Sequence, residues 1–259
     1  MTFETLRVER QGPIARVTFA RPDVRNALNA SMIADLTSAF STLSSDESVR
    51  VVVLQGDGSS FSGGADINYM RAGLDLGERE NEADALRLSD MFATIDRCAA
   101  PVVARVHGAA LGGGSGIIAA CDIVIAADDA VFGFTEARLG IVPAVISPFV
   151  LRKIGQSNAR ALFTTGERFD AARALRIGLV HDVVPAAGLD AGVARVVDAI
   201  LACGPQATRI AKTIVRTVSM MSAEEARTWT AQTIAKRRAS DEGQEGLRAF
   251  LEKRKPDWT

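Results

Sequence analysis

The spacing of apolar residues divides the chain into short strands and amphipathic helices. Strand-like runs at 4–10 and 14–20 flank the turn residues Gln11-Gly12-Pro13, which predicts an opening β-hairpin. A helix is predicted next, because apolar residues then recur with helical spacing. Its buried face is expected to carry Met32, Ile33, Leu36, Phe40 and Leu43.

Compact apolar runs in the middle of the chain predict buried strands, because they are short and rich in β-branched residues. These runs are 49–55, 102–106 and 123–127. Residues 84–97 are predicted to form a helix, with Leu88, Phe92 and Ile95 on its apolar face. A short apolar helix is predicted over 117–121. Strands that alternate with helices are typical of a parallel α/β architecture.

The last part of the chain is predicted to be mostly helical. Ser222 and Glu225 have the spacing of a capping box, which predicts the start of one helix there. No Pro/Ser-rich linker interrupts the chain, so we expect one domain with a helical C-terminal extension. An apolar stripe with helical spacing comprises Leu189, Val193, Val196, Val197, Ile200 and Leu201.

Composition narrows the classes of function. The 259 residues are 47% hydrophobic and 24% charged, and a net charge of −1 gives no field that would gather nucleic acid or an acidic membrane. No apolar run reaches the roughly 18 residues of a membrane span. The 3 cysteines are widely spaced and fit neither a disulfide framework nor a zinc site. We therefore expect a cytoplasmic protein without a bound metal.

Two glycine-rich segments could present free backbone amides to a negatively charged group. Gly63 and Gly64 follow the strand predicted at 49–55, and glycine allows both a sharp turn and the close approach of a ligand. Residues 107–116 contain a second glycine cluster directly before a predicted helix, whose N-terminus has unpaired N–H groups. Each segment, taken alone, could equally be an ordinary glycine turn.

The second cluster also contains Gly114-x-Gly116-x-x-Ala119, which satisfies a dinucleotide-binding fingerprint. The match is weak, because it lies in the middle of the chain and the helix after it spans only about two turns. Failure to bind a nicotinamide cofactor would exclude this reading.

Glu136 is a candidate acid or base. It lies among apolar and small residues in the segment 132–143, and a carboxylate that is desolvated in this way has a raised pKa. For an isolated glutamate, however, a surface position paired with Arg138 would be the commoner explanation.

Taken together, these segments resemble the crotonase (enoyl-CoA hydratase/isomerase) superfamily over nearly the whole chain. The matching strings are Arg21-Pro-Asp-Val-Arg-Asn-Ala-Leu-Asn29, Phe61-Ser-Gly-Gly-Ala-Asp66, Gly108-Ala-Ala-Leu-Gly-Gly-Gly114, Cys121-Asp122, Thr135-Glu-Ala-Arg-Leu-Gly-Ile-Val-Pro143 and Glu245-Gly-Leu-Arg-Ala-Phe-Leu-Glu-Lys-Arg-Lys-Pro256. The resemblance implies an α/β fold, a crotonase-type spiral of repeated ββα units over residues 1–200. It also implies a helical C-terminal trimerisation region over residues 201–259, in a homotrimer or a dimer of trimers.

The resemblance further implies an acyl-CoA thioester substrate and no separate cofactor. The thioester oxygen would accept hydrogen bonds from the amides of Ala65 and Gly113, which would form an oxyanion hole. Glu136 would be the catalytic acid/base. The residues that match positions near CoA in the family are Arg25, Gly63, Phe250 and Lys253. For Phe250, packing in the core is an equally good explanation.

One departure from the family pattern concerns the number of catalytic carboxylates. Hydratases of the best-known type have a second glutamate two residues after the triple glycine, where this chain has Gly116. The single Glu136 resembles the Δ3,Δ2-enoyl-CoA isomerases. Finer features, such as Gly64-Ala-Asp-Ile-Asn-Tyr-Met70 and Ile146-Ser-Pro-Phe-Val150, resemble bacterial methylglutaconyl-CoA hydratases. We therefore predict hydration of a 2-enoyl-CoA, with isomerisation as the alternative.

Two further interpretations stay open. The chain could be a catalytically inactive, crotonase-like protein that binds CoA esters or RNA, although the net charge and the lack of interleaved aromatic and basic residues disfavour RNA. In addition, Arg71 could pair with a carboxylate on the substrate, since residues 68–71 directly follow the first glycine-rich segment. A solvated surface arginine is the commoner case.

Overall fold

A computed structural model describes residues 2–258 of the chain. The strands are β1 (Leu6–Gln11), β2 (Ile14–Phe19), β3 (Val51–Gly56), β4 (Val102–Val106), β5 (Ala109–Leu111), β6 (Ile123–Ala127), β7 (Val131–Gly133), β8 (Arg168–Asp170) and β9 (Asp182–Val184). The α-helices are α1 (Ala30–Ser45), α2 (Ile67–Gly73), α3 (Glu78–Asp96), α4 (Gly113–Ala120), α5 (Ser147–Thr165), α6 (Ala171–Arg176), α7 (Leu189–Ala202), α8 (Pro205–Val218), α9 (Ala223–Ala239) and α10 (Asp241–Leu251). Short 3-10 helices lie at Pro22–Val24, Glu136–Leu139 and Ala186–Gly188.

A six-stranded sheet with the order β1-β2-β3-β4-β6-β9 forms the centre of the molecule. β1 and β2 pair in antiparallel fashion around Gly12, so the predicted hairpin is confirmed. The other pairs in this sheet are parallel, which confirms the predicted α/β architecture. β3, β4 and β6 coincide with the predicted apolar runs, because parallel strands covered on both faces are apolar throughout.

Helices cover both faces of this sheet. α1 and α3 pack on one face through the predicted apolar stripes, and α7 packs on the other. α3 begins at Glu78 rather than at residue 84, because its first turns are exposed and charged and therefore show no apolar periodicity. The side chains that α7 buries against the sheet are Leu189, Val193, Val197 and Ile200.

A second, three-stranded sheet was not predicted. β5 pairs with β7 in parallel and β7 pairs with β8 in antiparallel fashion. Each of these strands has 3 residues, which is too short for an alternating pattern to show. β5 leads directly from β4 to α4, so this small sheet holds the second glycine-rich segment in place.

The helices α8, α9 and α10 lie beyond the sheet, and the predicted capping box of Ser222 and Glu225 starts α9. Glu242, at the start of α10, accepts hydrogen bonds at 2.8 Å from the amides of Gln206 and Ala207 and thereby caps α8. The predicted boundary at residue 200 falls within the last turn of α7. The division into 1–200 and 201–259 stays a prediction, and residues 1 and 259 lie outside the described residues. Within 2–258, no helix combines the length and apolarity needed to cross a membrane.

Candidate active site

Ala65 lies in a turn that leaves its backbone amide without an acceptor. The Leu28 amide donates to the Gly64 carbonyl at 2.7 Å, and the Leu28 carbonyl accepts from the Asp66 amide at 2.9 Å. These bonds engage the groups on either side of Ala65, and no group in residues 2–258 accepts from the Ala65 N–H. Gly64 has a φ of 103°, a conformation that favours glycine. The exposed Ala65 amide is therefore available to a ligand.

Gly113 is the first residue of α4, and its amide is also free. The first amides of a helix have no acceptor within the helix, and they lie at the positive end of its dipole. The preceding Gly112 has a φ of 49° and donates to the Gly133 carbonyl at 2.8 Å. The Gly116 amide donates to the Gly112 carbonyl at 3.0 Å, which closes the first turn. Nothing in the described part of the chain accepts from the Gly113 N–H.

The two glycine turns lie side by side because the segments that carry them are paired. The Ser62 amide donates to the Ala109 carbonyl at 2.9 Å, and the Leu111 amide donates to the Ser62 carbonyl at 3.0 Å. The turns approach so closely that a Cβ at Gly64 would lie 3.2 Å from the Leu111 carbonyl oxygen. The two free amides therefore belong to neighbouring segments, as an oxyanion hole requires. The oxyanion hole itself stays a prediction.

Glu136 places a carboxylate against the second glycine turn. Its Oε1 lies 3.5 Å from the position that a Cβ at Gly112 would occupy. Its Oε2 is buried and has no hydrogen-bond partner among residues 2–258. Burial raises the pKa of the Glu136 carboxyl, and a hydrogen bond with its own backbone partly opposes this effect. Arg138 does not neutralise the charge, since its side chain lies beside Gly166.

A buried ion pair supports the first glycine turn. Arg21 Nη2 donates to Asp66 Oδ2 at 2.8 Å, and the two side chains are 19% and 8% exposed. Arg21 Nη1 donates to the Ala27 carbonyl. Asp66 Oδ1 accepts from the amides of Asn68 and Tyr69 at 2.8 Å and 3.3 Å and thereby caps α2. The Arg21 guanidinium, helped by these amides, lowers the pKa of the Asp66 carboxyl.

Asn26 connects the same region to the central sheet. Its side chain is fully buried, donates to the carbonyls of Asp57 and Ser60, and accepts from the Arg21 amide at 3.0 Å. Its own carbonyl accepts from Ser62 Oγ at 2.9 Å. The roles of Arg21, Asn26 and the Asp66 side chain were not predicted, because apolar periodicity carries no signal for polar contacts between distant segments.

Arg25 and Gly63, which are predicted to contact CoA, lie together at the edge of this region. The Gly63 amide donates to the Arg25 carbonyl at 2.7 Å, and the Arg25 side chain is exposed. Phe250 lies in the last turn of α10, and Lys253 lies two residues beyond the end of that helix. Phe250 is 81% exposed near the end of α10, so the core-packing alternative for it is wrong.

Apolar side chains fill the space that a second carboxylate at position 116 would need. Gly116 is buried in α4, and a Cβ there would lie 2.3 Å from Ile146 Cγ2 and 3.0 Å from Phe92 Cε1. Gly114 is also closely packed, because a Cβ there would lie 2.8 Å from Ser62 Cβ. Since both glycines are buried, neither can present its backbone to a pyrophosphate, and the dinucleotide fingerprint gains no support.

Known proteins share this architecture along their whole length. Residues 9–259 match the family model for enoyl-CoA hydratase/isomerase. A protein of Mycobacterium bovis, named probable enoyl-CoA hydratase, is 37% identical over 263 residues, which cover 100% of this chain and 99% of the relative. A 2,3-dehydroadipyl-CoA hydratase of Escherichia coli is 32% identical over 252 residues, with 97% of both chains covered. The crystal structure of an enoyl-CoA hydratase of Mycobacterium smegmatis has a TM-score of 0.94 and 34% identity, with 98% of both chains covered.

The chain therefore belongs to the enoyl-CoA hydratase/isomerase family, and it has the crotonase-type fold that its resemblance implied. It is an enzyme of a family that acts on acyl-CoA thioesters. Two free amides on adjoining glycine turns and one buried carboxylate are the groups that such chemistry needs.

Proposed function

We propose that this protein adds water across the double bond of a 2-enoyl-CoA thioester. The observation that carries the proposal is the Glu136 carboxylate, whose buried Oε2 has no partner among residues 2–258, beside a glycine turn with a free amide. A carboxyl with a raised pKa can both accept and return a proton in mildly acidic to neutral solution. Free backbone amides can stabilise an enolate without reorganisation. The names of the relatives support the substrate class.

In the proposed reaction, the thioester oxygen accepts hydrogen bonds from the amides of Ala65 and Gly113. Glu136 removes a proton from a water molecule, whose oxygen bonds to C3 while the π electrons of the C2–C3 bond move into the enolate. The protonated Glu136 then gives this proton to C2, and the thioester carbonyl re-forms. One carboxylate suffices because it carries the same proton in both steps, so no cofactor is needed beyond the CoA of the substrate.

Isomerisation is the second candidate function. It needs only one base, which would remove a proton from C2 of a 3-enoyl-CoA and return it to C4. The observation in its favour is the apolar packing of Ile146 and Phe92 against Gly116, which leaves no room for a second carboxylate at position 116.

We also propose that the acyl pocket accepts a branched or carboxylated chain such as that of 3-methylglutaconyl-CoA. Arg71 is exposed on α2, and the one hydrogen bond of its side chain within residues 2–258 is to Asn68 Oδ1 at 3.3 Å, so most of its guanidinium donors remain available. The named substrate of the Escherichia coli relative is carboxylated too. Arg71→Ala should lower kcat/KM for 3-methylglutaconyl-CoA more than for crotonyl-CoA, and an equal loss would contradict the assignment.

The remaining proposals concern CoA and assembly. Arg25 and Gly63 contact the CoA of their own subunit, whereas Phe250 and Lys253 reach the CoA of a neighbouring subunit in a homotrimer or a dimer of trimers. This assignment is supported by the exposure of Phe250, which is 81% exposed near the end of α10. The three thiols are free, with Cys203 exposed, which fits the expectation of a reduced cytoplasm.

Turnover in oxygen-18 water separates the two candidate reactions. Crotonyl-CoA, 3-methylglutaconyl-CoA and a 3-enoyl-CoA should be incubated separately with the enzyme. Hydration predicts label at C3 of the 3-hydroxyacyl product, and Glu136→Gln should lower its rate by about 10²–10⁴. If only the 3-enoyl-CoA reacts, and without label, isomerisation replaces hydration. Tight binding of CoA esters without turnover would instead identify a binding protein.

A further inference from the structure

We propose that Arg21 and Asp66 are positioning residues that aim the Ala65 amide at the thioester oxygen. The inference rests on the proposed oxyanion hole and goes beyond it by naming the side chains that fix its orientation. Neither side chain needs to touch the substrate, since each acts through the backbone of the first glycine turn.

The direction of the Ala65 N–H is set by the carbonyl of the same peptide group. The N–H and C=O of a planar trans peptide point in opposite directions. The Gly64 carbonyl accepts from the Leu28 amide at 2.7 Å, so the Ala65 N–H points away from Leu28. Gly64, at a φ of 103°, has no side chain to resist a rotation of this peptide. The orientation therefore depends on how firmly the segment of Leu28 is held against the turn.

Arg21 joins the two segments that make this contact. Its Nη1 donates to the carbonyl of Ala27, next to Leu28, and its Nη2 donates to the Asp66 carboxylate, next to Ala65. One rigid guanidinium therefore connects the segment of Leu28 with the glycine turn of Ala65, which pair through their backbones. Bonds between charged groups with little exposure to water are stronger than neutral hydrogen bonds, so this contact is well suited to hold a backbone orientation.

Asp66 is fixed in turn by its other oxygen. Its Oδ1 caps α2 through the amides of Asn68 and Tyr69, while its Oδ2 faces Arg21. Because both oxygens have partners, the carboxylate cannot rotate without losing one set of bonds. The start of α2, the first glycine turn and Arg21 thus form one unit around Ala65.

The chain contains a matched ion pair that is remote from the glycine turns. Lys212 Nζ lies 2.7 Å from Asp122 Oδ2, and these side chains are 15% and 28% exposed. The Asp122 carboxylate also accepts from a backbone amide, that of Val102, at 2.7 Å. Asp122 directly precedes β6 and Lys212 lies in α8, whereas the glycine turns precede α2 and α4. Loss of this pair should lower stability without changing the orientation of Ala65.

Kinetics of Asp66→Asn and Asp122→Asn test the proposal first. Asp66→Asn should lower kcat for a 2-enoyl-CoA by about 10–10², which is less than the roughly 10²–10³ expected for complete loss of one oxyanion donor. KM should change much less. Asp122→Asn should lower the Tm and keep kcat. Arg21→Met should reproduce the kcat loss, and the double variant with Asp66→Asn should be no worse than either single variant, because the two residues act as a pair.

Infrared spectroscopy of the bound thioester measures the stretching frequency of its carbonyl. A loss of protein stability alone would not change this frequency. Crotonyl-CoA labelled with carbon-13 at its carbonyl is bound to Glu136→Gln, and the spectrum is recorded before the slowed turnover consumes it. Hydrogen bonds from the site should lower the carbonyl frequency, and adding Asp66→Asn should return part of this shift. Adding Asp122→Asn should not. Should Asp66→Asn fail to fold, Arg21→Lys replaces it, since an ammonium cannot span Ala27 and Asp66 as a guanidinium does.

The possible failures are distinguishable. If the carbonyl band is unshifted in Glu136→Gln itself, the proposed oxyanion hole is wrong. If the band is shifted there and Asp66→Asn changes neither the band nor kcat beyond the effect of Asp122→Asn, the oxyanion hole stands and the positioning role is overturned.

Discussion

Catalysis and stability oppose each other at Glu136. The buried Oε2 has no partner among residues 2–258, and the hydrogen bond with the Glu136 backbone offsets the desolvation of the charged form only in part. The same burial raises the pKa of the carboxyl and makes its anion a better base. A group that is favourable for proton transfer is thus unfavourable for the folded state at neutral pH.

The rate should report this pKa directly. Only the ionised Glu136 can accept the proton of water, so kcat/KM for hydration should fall as the pH decreases through its pKa. Because burial raises that pKa above the ordinary value of 4.5, the acidic limb of the profile should lie above pH 4.5. A profile of kcat/KM against pH checks this expectation. A limb at or below 4.5 would contradict the desolvated state of the carboxyl.

The stability of Glu136→Gln should depend on pH with a definite sign. The folded state binds the Glu136 proton more tightly than the unfolded state does, because its pKa is raised on folding. The associated stability is complete below the unfolded pKa of 4.5 and is lost as the pH rises through the folded pKa. Glutamine has no such loss. The variant should therefore gain stability over the wild type as the pH rises above 4.5 and through the raised folded pKa, as measured by urea unfolding at several pH values.

The absence of such a gain would mean that the Glu136 charge is compensated in solution. The control is Glu225→Gln, which removes an exposed carboxylate whose pKa is lowered by the Ser222 hydroxyl and amide. Its stability relative to the wild type should change with pH in the opposite direction.

Short sequence motifs predicted the reacting groups, but they did not predict the contacts between distant segments that support these groups. Glu136, Ala65 and Gly113 each lie in a short segment whose composition or family resemblance already suggests their chemistry. The contact between Arg21 and Asp66 joins residues 45 positions apart. No periodicity within one segment encodes such a contact, because it depends on how the segments pair in three dimensions.

At the scale of elements, the N-terminus of α4 is proposed to supply the second oxyanion donor. Gly113→Pro removes this N–H and should lower kcat by about 10²–10³ relative to Gly113→Ala. Alanine is the matched control, because its Cβ meets the same Leu28 Cδ1, at 2.6 Å, and keeps the amide. Proline at the first position of a helix is otherwise well tolerated. Equal kcat values for two folded variants would remove Gly113 from the oxyanion hole.

The packing around Gly116, at the end of the first turn of α4, explains why a glutamate cannot simply be placed there. A Cβ at Gly116 would lie 2.3 Å from Ile146 Cγ2, so Gly116→Glu should destabilise the protein by about 1–3 kcal/mol from overpacking, with a further loss from burying the carboxylate. Adding Ile146→Ala should return part of that stability in chemical denaturation. No recovery in the double variant would mean that Ile146 is not the obstacle.

Element length decided how much of the fold could be predicted. β3, β4 and β6 were predicted because strands covered on both faces leave compact apolar runs. β5, β7 and β8 were not predicted, since 3 residues give no period. The first turns of α3 were missed for a related reason: a helix that lies in solvent has no apolar face to detect.

At the scale of the whole molecule, the C-terminal helices present an apolar surface that the described chain leaves uncovered. Along one side of α10, Leu247 is 51%, Phe250 81% and Leu251 77% exposed. Adjoining exposed apolar residues of this kind mark surfaces that associate. In a single copy, these apolar side chains of α10 therefore stay exposed to solvent.

Association through α10 is the final prediction. The wild type should sediment as a homotrimer or a dimer of trimers at micromolar concentration. Phe250→Glu should shift it toward the monomer, because a carboxylate buried in an interface loses its hydration without gaining a partner. Leu86→Glu, a similar change at an exposed leucine of α3, serves as the control and should keep the size. A monomeric wild type, or a Phe250→Glu variant of unchanged size, would show that this face of α10 does not hold the assembly together. If the shift occurs and KM for the CoA ester also rises, the same contact brings Phe250 to the CoA of a neighbouring subunit.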